Sequence, residues 1–171
     1  MLFRSEVEWP VEAQQLKSML VELADIAKGH GVVYAARPVA NSILETPDGI
    51  MTFLQEMNHP NLKLNFDVGL FAANGLDPDE CIKACRSQMA YGLVKDCVNL
   101  TDEVEFMLPG DGDFDYPSYM VALNEVKYRG IICVEVSAAI YESEGYEPWD
   151  AAEYCFDVLS EAREVAEMGW G

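Results

Sequence analysis

Residues 108–137 constrain the fold most strongly, because they contain a complete unit of loop, helix and strand. The loop at 108–115 is rich in glycine, which allows tight turns, and in aspartate, which can cap backbone N–H groups. Apolar residues then recur at helical spacing within 119–126. The run Ile131–Val136 is apolar except for Glu135, which is typical of a strand covered on both faces in a parallel sheet. The segment therefore predicts an amphipathic helix followed by a buried parallel strand.

Glu135 is the only charged residue of this predicted strand. Alternation along a strand places Ile131, Cys133 and Glu135 on one face, so the carboxylate follows two apolar residues. Barrels and open sheets of the α/β class carry their functional groups at the C-terminal ends of their strands. We therefore expect Glu135 to belong to a functional site.

The same alternation of strand and helix repeats upstream. We predict strands at 32–36, 62–67, 91–96 and 131–136, further helices at 11–28, 47–57, 77–89 and 149–168, and loops at 69–79 and 99–107. The first helix is expected to bury the stripe formed by Leu16, Met19, Leu20, Leu23, Ile26 and Ala27. In the second strand, Lys63, Asn65 and Asp67 share one face.

This order favours parallel β/α units joined by right-handed crossovers. Four strands behind a leading helix match the second half of an eight-stranded barrel, whose full length is about 250 residues. We predict an α/β fold, half of a (β/α)8 TIM barrel with outer helices, as a single domain over residues 1–171.

Composition restricts the partners and the compartment. A net charge of −19 without a basic stripe disfavours nucleic acid. Because no apolar run could span a bilayer and the first residues lack a signal-peptide pattern, we expect a cytoplasmic protein without membrane contact. Five cysteines without a C-x-x-C pair favour reduced, buried thiols over disulfides or zinc.

Four segments carry a resemblance to a known family. They are LKLNFDVGL with Asp67, YGLVKD with Lys95 and Asp96, LPGDGDFDY, and YRGIICVEVS with Glu135. In this order and spacing they resemble the C-terminal half of the xylose isomerase-like TIM-barrel family, the sugar phosphate isomerases and epimerases that include endonuclease IV relatives. The resemblance covers nearly the whole chain.

The resemblance implies a divalent metal held at the strand ends by a glutamate, an aspartate, a histidine and a second glutamate. Asp67 matches the aspartate and Glu135 the second glutamate, whereas Arg37 stands in the place of the first glutamate and Leu93 in that of the histidine. An accessory histidine of the family is Leu70 here. Two carboxylates beside a fixed positive charge would hold Mn²⁺ or Mg²⁺ weakly at best. We expect no cofactor, with a weak or lost metal site at Asp67 and Glu135.

Arg37 could instead place its planar guanidinium between Asp67 and Glu135, since a buried carboxylate pair without a cation is strongly penalised. We hypothesise that this arginine replaces the metal. Alternatively, Asp67 and Glu135 are simple strand-end caps or ion-pair partners, and Lys95 and Asp96 form an internal ion pair.

The resemblance also implies proton transfer next to a carbonyl group. An active enzyme would use Glu135, Lys95 and Arg37 as catalytic residues. It would bind a small sugar or sugar phosphate through Arg37, Asn65, Lys95 and Asp96. Because an arginine cannot act as a base, the favoured function is instead a subunit with a degenerate metal site and little activity alone.

A half-barrel leaves its first and last strands unpaired and its inward face open. Residues such as Val33, Ala35, Leu93, Ile131 and Cys133 would then be exposed. We expect a partner chain to supply the other half, a second copy to close a homodimeric barrel, or a full-length relative on which the chain docks as a non-catalytic subunit.

Overall fold

The computed structural model describes residues 9–39, 42, 44–99 and 104–169, with residues 9–13 and 99 described by their backbone alone. The helices are α1 (Trp9–Gly29), α2 (Pro47–Met57), α3 (Val68–Ala73), α4 (Pro78–Cys85), α5 (Tyr116–Glu125), α6 (Ala138–Tyr141) and α7 (Pro148–Met168). The strands are β1 (Tyr34–Ala36), β2 (Leu62–Asp67), β3 (Met89–Val94), β4 (Asp96–Asn99), β5 (Val104–Met107) and β6 (Ile131–Val134).

The main sheet has four parallel strands in the order β1-β2-β3-β6, flanked by helices. This α/β arrangement is half of a TIM barrel, as the sequence predicts. A separate antiparallel pair, β4 with β5, follows β3 directly.

The side chains of β2 alternate between the two faces of the sheet. Leu62, Leu64 and Phe66 are buried on the helix-covered face. Lys63 and Asn65 alternate with them on the inward face, as predicted. The core of the described part of the chain therefore lies between the sheet and its helices.

Two predicted helix starts are confirmed. The Thr46 hydroxyl accepts a hydrogen bond from Gly49 N ahead of α2, and the Asp77 carboxylate accepts one from Glu80 N ahead of α4. Each cap is followed by a proline at the start of the helix, where the missing N–H costs nothing. The predicted apolar stripe of α2 is buried. It consists of Ile50, Phe53, Leu54 and Met57.

Several predicted boundaries are wrong. Much of the predicted loop at 69–79 is helix, because the Asp67 side chain caps α3 immediately after β2. The following helix ends at Cys85 rather than Met89, since β3 already begins at Met89. The third strand ends at Val94, and Asp96 belongs to the next strand.

The predicted loop at 99–107 is also partly wrong. Residues 104–107 form β5, which pairs with β4, while residues 100–103 lie outside the described part of the chain. The first and last strands of the main sheet are shorter than predicted, and the short helix α6 was not predicted.

The predicted apolar stripe of α1 is only partly buried. Leu20 and Ala24 are buried, but Met19, Leu23 and Ile26 are exposed, Met19 by 55 %. The helix contacts β1 and β2 at one end of the sheet, so the sheet covers only part of a wide apolar face. The inward-facing Ile131 is likewise exposed.

The cysteines agree with the prediction of reduced thiols. All five are free, and four are buried, namely Cys81, Cys85, Cys97 and Cys155. Burial raises the pKa of the Cys85 thiol to about 12. Among the described helices, none combines the length and the apolarity that a membrane crossing needs.

Candidate functional site at the carboxyl ends of the strands

Four charged side chains meet where the parallel strands end. Arg37 follows β1, Asp67 ends β2, Lys95 follows β3, and Glu135 follows β6. Because the carboxyl ends of parallel strands lie at the same edge of a sheet, residues far apart in sequence come together there. We call these four residues the charge cluster.

The guanidinium of Arg37 lies between the two carboxylates. Nε and Nη2 donate to Asp67 Oδ2 at 3.0 and 2.7 Å. Nη1 donates to Glu135 Oε1 at 2.9 Å, and Nη2 to Glu135 Oε2 at 2.6 Å. The planar fork of arginine thus binds both acids at once, which a lysine could not do with the same geometry.

Lys95 completes the charge cluster from the opposite side. Its Nζ donates to Asp67 Oδ2 at 3.2 Å and to Glu135 Oε2 at 3.0 Å, and it lies 4.4 Å from the centre of the Phe106 ring. The lysine side chain is only 7 % exposed. Each cation therefore contacts both anions, and the two positive charges balance the two negative ones.

Gly69 gives the Lys95 side chain its space. A Cβ on this residue would lie 2.5 Å from Lys95 Cγ and 2.8 Å from the Lys95 carbonyl oxygen. Both distances are too short for real atoms, so only glycine fits here without a shift of the lysine backbone. The close approach of α3 to the end of β3 thus depends on this residue.

Asp67 uses its two oxygens for different partners. Oδ1 accepts the N–H of Leu70 and caps α3, while Oδ2 accepts from Arg37 and Lys95. The side chain is completely buried. A buried carboxylate of this kind is stable only because its lone pairs are filled and its charge is compensated.

The electrostatics of the charge cluster favour the ionised forms of Glu135 and Arg37. Burial acts to raise the pKa of Glu135, but hydrogen bonds from Arg37 and Lys95 outweigh burial and hold that pKa below its usual value. Burial acts to lower the pKa of Arg37, but the hydrogen bond to Glu135 and the charge of Asp67 raise it overall. At neutral pH, Glu135 is therefore a weak base with a cation on each side.

Asp96 lies outside the charge cluster. Its buried carboxylate accepts from the backbone N–H groups of Cys97, Gly110 and Phe114, and the structure shows no ion pair between it and the neighbouring Lys95. It holds the glycine-rich loop against β4. A Cβ on Gly112 would lie 2.6 Å from Asp96 Cγ, so this glycine is required for the close contact.

The structure does not bring Asp96 or Asn65 to the charge cluster through a hydrogen bond. Asn65 is on the inward face of β2, where its Oδ1 is buried without a hydrogen-bond partner. The proposed contacts of these two residues with a substrate stay predictions. The Asp96 side chain is completely buried, and its oxygens accept from three backbone donors.

The residues present do not fit the divalent metal that the resemblance implies. Asp67 Oδ2 and both Glu135 oxygens already accept from cationic donors, and a metal would have to displace Arg37 to reach them. Leu93 offers no ligand atom. Within the described residues, no group of three or more His, Cys, Asp or Glu side chains is placed to hold a metal ion.

Sequence reasoning missed Phe106 and Gly69. Phe106 lies on β5, within a segment predicted as a loop, so nothing in the pattern placed it near Lys95. Gly69 directly follows the D-V pair of the Asp67 segment. A glycine beside a functional aspartate is a usable signal for close backbone packing.

The profile of the family described as "Xylose isomerase-like TIM barrel" matches residues 5–158. A comparison with curated proteins finds no match.

Solved structures of similar fold agree with the family match. A xylose isomerase domain protein from Planctomyces limnophilus is 21 % identical with a TM-score of 0.73, and the match covers 96 % of this chain and 57 % of that one. A xylose isomerase-like TIM barrel protein from Mycobacterium smegmatis in complex with magnesium is 20 % identical with a TM-score of 0.71, covering 95 % and 55 %. The 3-keto-D-glucoside 4-epimerase from E. coli is 15 % identical with a TM-score of 0.72, covering 94 % and 56 %. The chain thus spans a little over half the length of these proteins.

Proposed function

The chain belongs to the xylose isomerase-like TIM barrel family, and on that premise we propose that it is a half-barrel subunit with an arginine in place of the metal. In this proposal the chain completes a barrel or a larger assembly with another protein half. In the assembled barrel it contributes the charge cluster, whose positive and negative charges balance, and not a catalytic centre of its own. Of the two outcomes that the sequence left open, this one has the support of the site geometry.

The observation that carries the proposal is the position of Arg37, which donates to both Asp67 and Glu135. A divalent ion and a guanidinium cannot share these oxygens, because two cations at contact distance repel strongly in a poorly hydrated site.

The catalytic alternative has weaker support. Proton transfer needs a base whose pKa lies near the working pH, whereas Arg37 and Lys95 hold the pKa of Glu135 below its ordinary value. Arg37, with its raised pKa, stays charged and cannot exchange a proton. Neither residue is therefore poised for acid and base chemistry in the arrangement described.

The need for another half rests on the edges of the sheet. β1 and β6 each pair with one strand only in the described part of the chain, and Val33 and Ile131 are exposed beside them. Free strand edges and exposed apolar side chains favour association. A protein segment that adds strands at both edges would bury them.

Metal analysis tests the site. The purified chain is incubated with MnCl₂, desalted and analysed by inductively coupled plasma mass spectrometry. We expect far less than one manganese per chain, and the same result for Asp67→Asn and Glu135→Gln. One manganese per chain that both substitutions remove would refute the replacement of the metal by Arg37.

A further inference from the structure

The two ends of the sheet each carry a helix with one covered flank and one open flank. On α1, Lys17 forms an ion pair with Glu56 of α2, while Met19 and Leu23 lie on the side of the helix turned away from α2 and are exposed. Among the described residues, the helix thus contacts β1, β2, α2 and the segment between α2 and β2, where Asn61 donates to the Ala24 carbonyl.

The helix α7 has the same property at the other end. One flank packs on α5 and its loop, where the Tyr154 hydroxyl donates to Asp111. The other flank, with Ala152 and the 69 % exposed Phe156, borders an apolar groove of about 540 Å³. The opposite wall of this groove includes Ile132 and Val134 of β6, so the groove follows the free edge of the sheet.

The helices between these two ends already cover the internal strand pairs. In a (β/α)8 barrel, each strand is followed by one helix of the outer layer. Here α2, α4 and α5 lie in the connections within the sheet, and α1 and α7 lie beyond its first and last strands. Closing the barrel requires one new strand pair at β1 and one at β6, and we call these two places the seams. This chain already has a helix at each seam, α1 at the first and α7 at the second.

A second copy is therefore a poor partner for closure. At each seam, α7 of one copy would meet α1 of the other, so two 21-residue helices would compete for the place of one. Packed helices need about 8–10 Å between their axes, whereas neighbouring strands are about 4.8 Å apart. In addition, two chains of net charge −19 repel each other.

From these observations we infer that the barrel is closed by a different partner half of complementary construction, not by a second copy. This inference rests on the function proposed above. The partner begins and ends with a strand, has four parallel strands and three helices, and is less acidic or basic. Its first strand pairs with β6 and fills the groove below Phe156, and its last strand pairs with β1 beneath α1. Its length matches the roughly two fifths of the P. limnophilus protein that the match leaves uncovered.

The test uses the full chain with two probes. The first probe is the portion of the P. limnophilus protein that lies outside the match, which therefore lacks a counterpart of α1. The second is the same portion extended through the segment that matches α1, which adds a competing helix. Sedimentation velocity gives the stoichiometry, and hydrogen exchange monitors Ile132 and Val134. Backbone N–H groups alternate in direction along a strand. The N–H of Glu135, one position from Val134 and three from Ile132, bonds to the Val94 carbonyl on the β3 side, so those of Ile132 and Val134 point to the open edge.

We expect the chain alone to stay monomeric at both 0.05 and 0.5 M salt. The higher salt concentration screens the charge repulsion between copies but does not remove the steric overlap of α1 with α7. The first probe should form a 1:1 complex and slow exchange at Ile132 and Val134 at least tenfold. The second probe should bind at least tenfold more weakly. Phe156→Lys should prevent complex formation, whereas Met168→Lys, the same change at an exposed methionine of α7 outside the groove, should not.

Three results would overturn the inference: a stable dimer of the chain that protects these amides, equal binding of the two probes, or no slowing by the first probe. The dimer would still leave the proposed half-barrel function intact, since another half would close the sheet. If both amides are already protected in the monomer alone, the edge needs no partner and the proposed function itself fails.

Discussion

Arg37 and Asp67 are joined by two hydrogen bonds that converge on a single carboxylate oxygen, Asp67 Oδ2. The acceptor belongs to a fully buried side chain, while the arginine is 39 % exposed. Arg37 therefore forms the boundary between solvent and a negative charge that solvent does not reach.

Removing the guanidinium should destabilise the chain. In Arg37→Met, Asp67 and Glu135 share Lys95 as their only cation in the charge cluster, and one negative charge is uncompensated. We expect a loss of about 2–3 kcal/mol in the free energy of unfolding, below the 3–5 kcal/mol of a fully buried pair because Arg37 is partly solvated. Urea denaturation measures it. Arg86→Met, at an exposed position after α4, should change stability by less than about 0.5 kcal/mol; an equal loss in both variants would contradict the prediction.

A metal site should be recoverable by substitution. Arg37→Glu with Leu93→His removes the guanidinium, one of the two competing cations, and adds an oxygen and a nitrogen donor beside Asp67 and Glu135. We expect about one Mn²⁺ per chain by isothermal titration calorimetry, against no saturable binding in the unmodified chain. The control pairs Leu93→His with Arg86→Glu, which carries the same change of charge at a distance. Equal binding by the control would show that the gain comes from net charge alone.

Stability should fall in acid through Glu135. Its pKa is lowered in the folded chain, so its contribution is fully present above the unfolded value of about 4.5 and is lost as the pH falls through the folded value. Glu135→Gln should be less stable than the unmodified chain at pH 7 and should lose less stability between pH 5 and pH 3. Thermal unfolding across this range measures the slopes. Glu161→Gln, which alters an exposed carboxylate of α7, should keep the slope of the unmodified chain.

The contact between Asp96 and the glycine-rich loop should not tolerate a methyl group. Gly112→Ala places a Cβ against the Asp96 carboxylate and 3.0 Å from the Cys97 carbonyl oxygen, and the carboxylate cannot move without breaking its buried hydrogen bonds. We expect a destabilisation of about 1–3 kcal/mol, as in other overpacked sites. Gly29→Ala is the matched control, since its Cβ would meet nothing within 4 Å. Unchanged urea midpoints for both variants would contradict this account of the loop.

The sequence predicted the parts that depend on periodicity and on parallel strands. Asp67 and Glu135 could be placed together because both end buried strands, and Arg37 because it follows another. The roles of Lys95 and Asp96 were harder to predict, since neighbours in sequence diverge when β3 ends between Val94 and Asp96 and the chain enters a hairpin. Local patterns carry no information on such a change of direction.

The open flank of α1 shows a different limit. Met19 and Leu23 fit the helical period as well as Leu20 does, yet they are exposed because the sheet covers only part of the apolar face of the helix. Periodicity indicates which side of a helix is apolar, but not how much of that side one sheet can cover.

Asp67 also couples two parts of the molecule through one side chain. Oδ1 accepts the N–H that caps the first turn of α3, and Oδ2 accepts from both Arg37 and Lys95. The start of the helix and the charge cluster are therefore joined through one carboxylate. A substitution at Asp67 would therefore remove the cap of α3 and the anion shared by Arg37 and Lys95 at the same time.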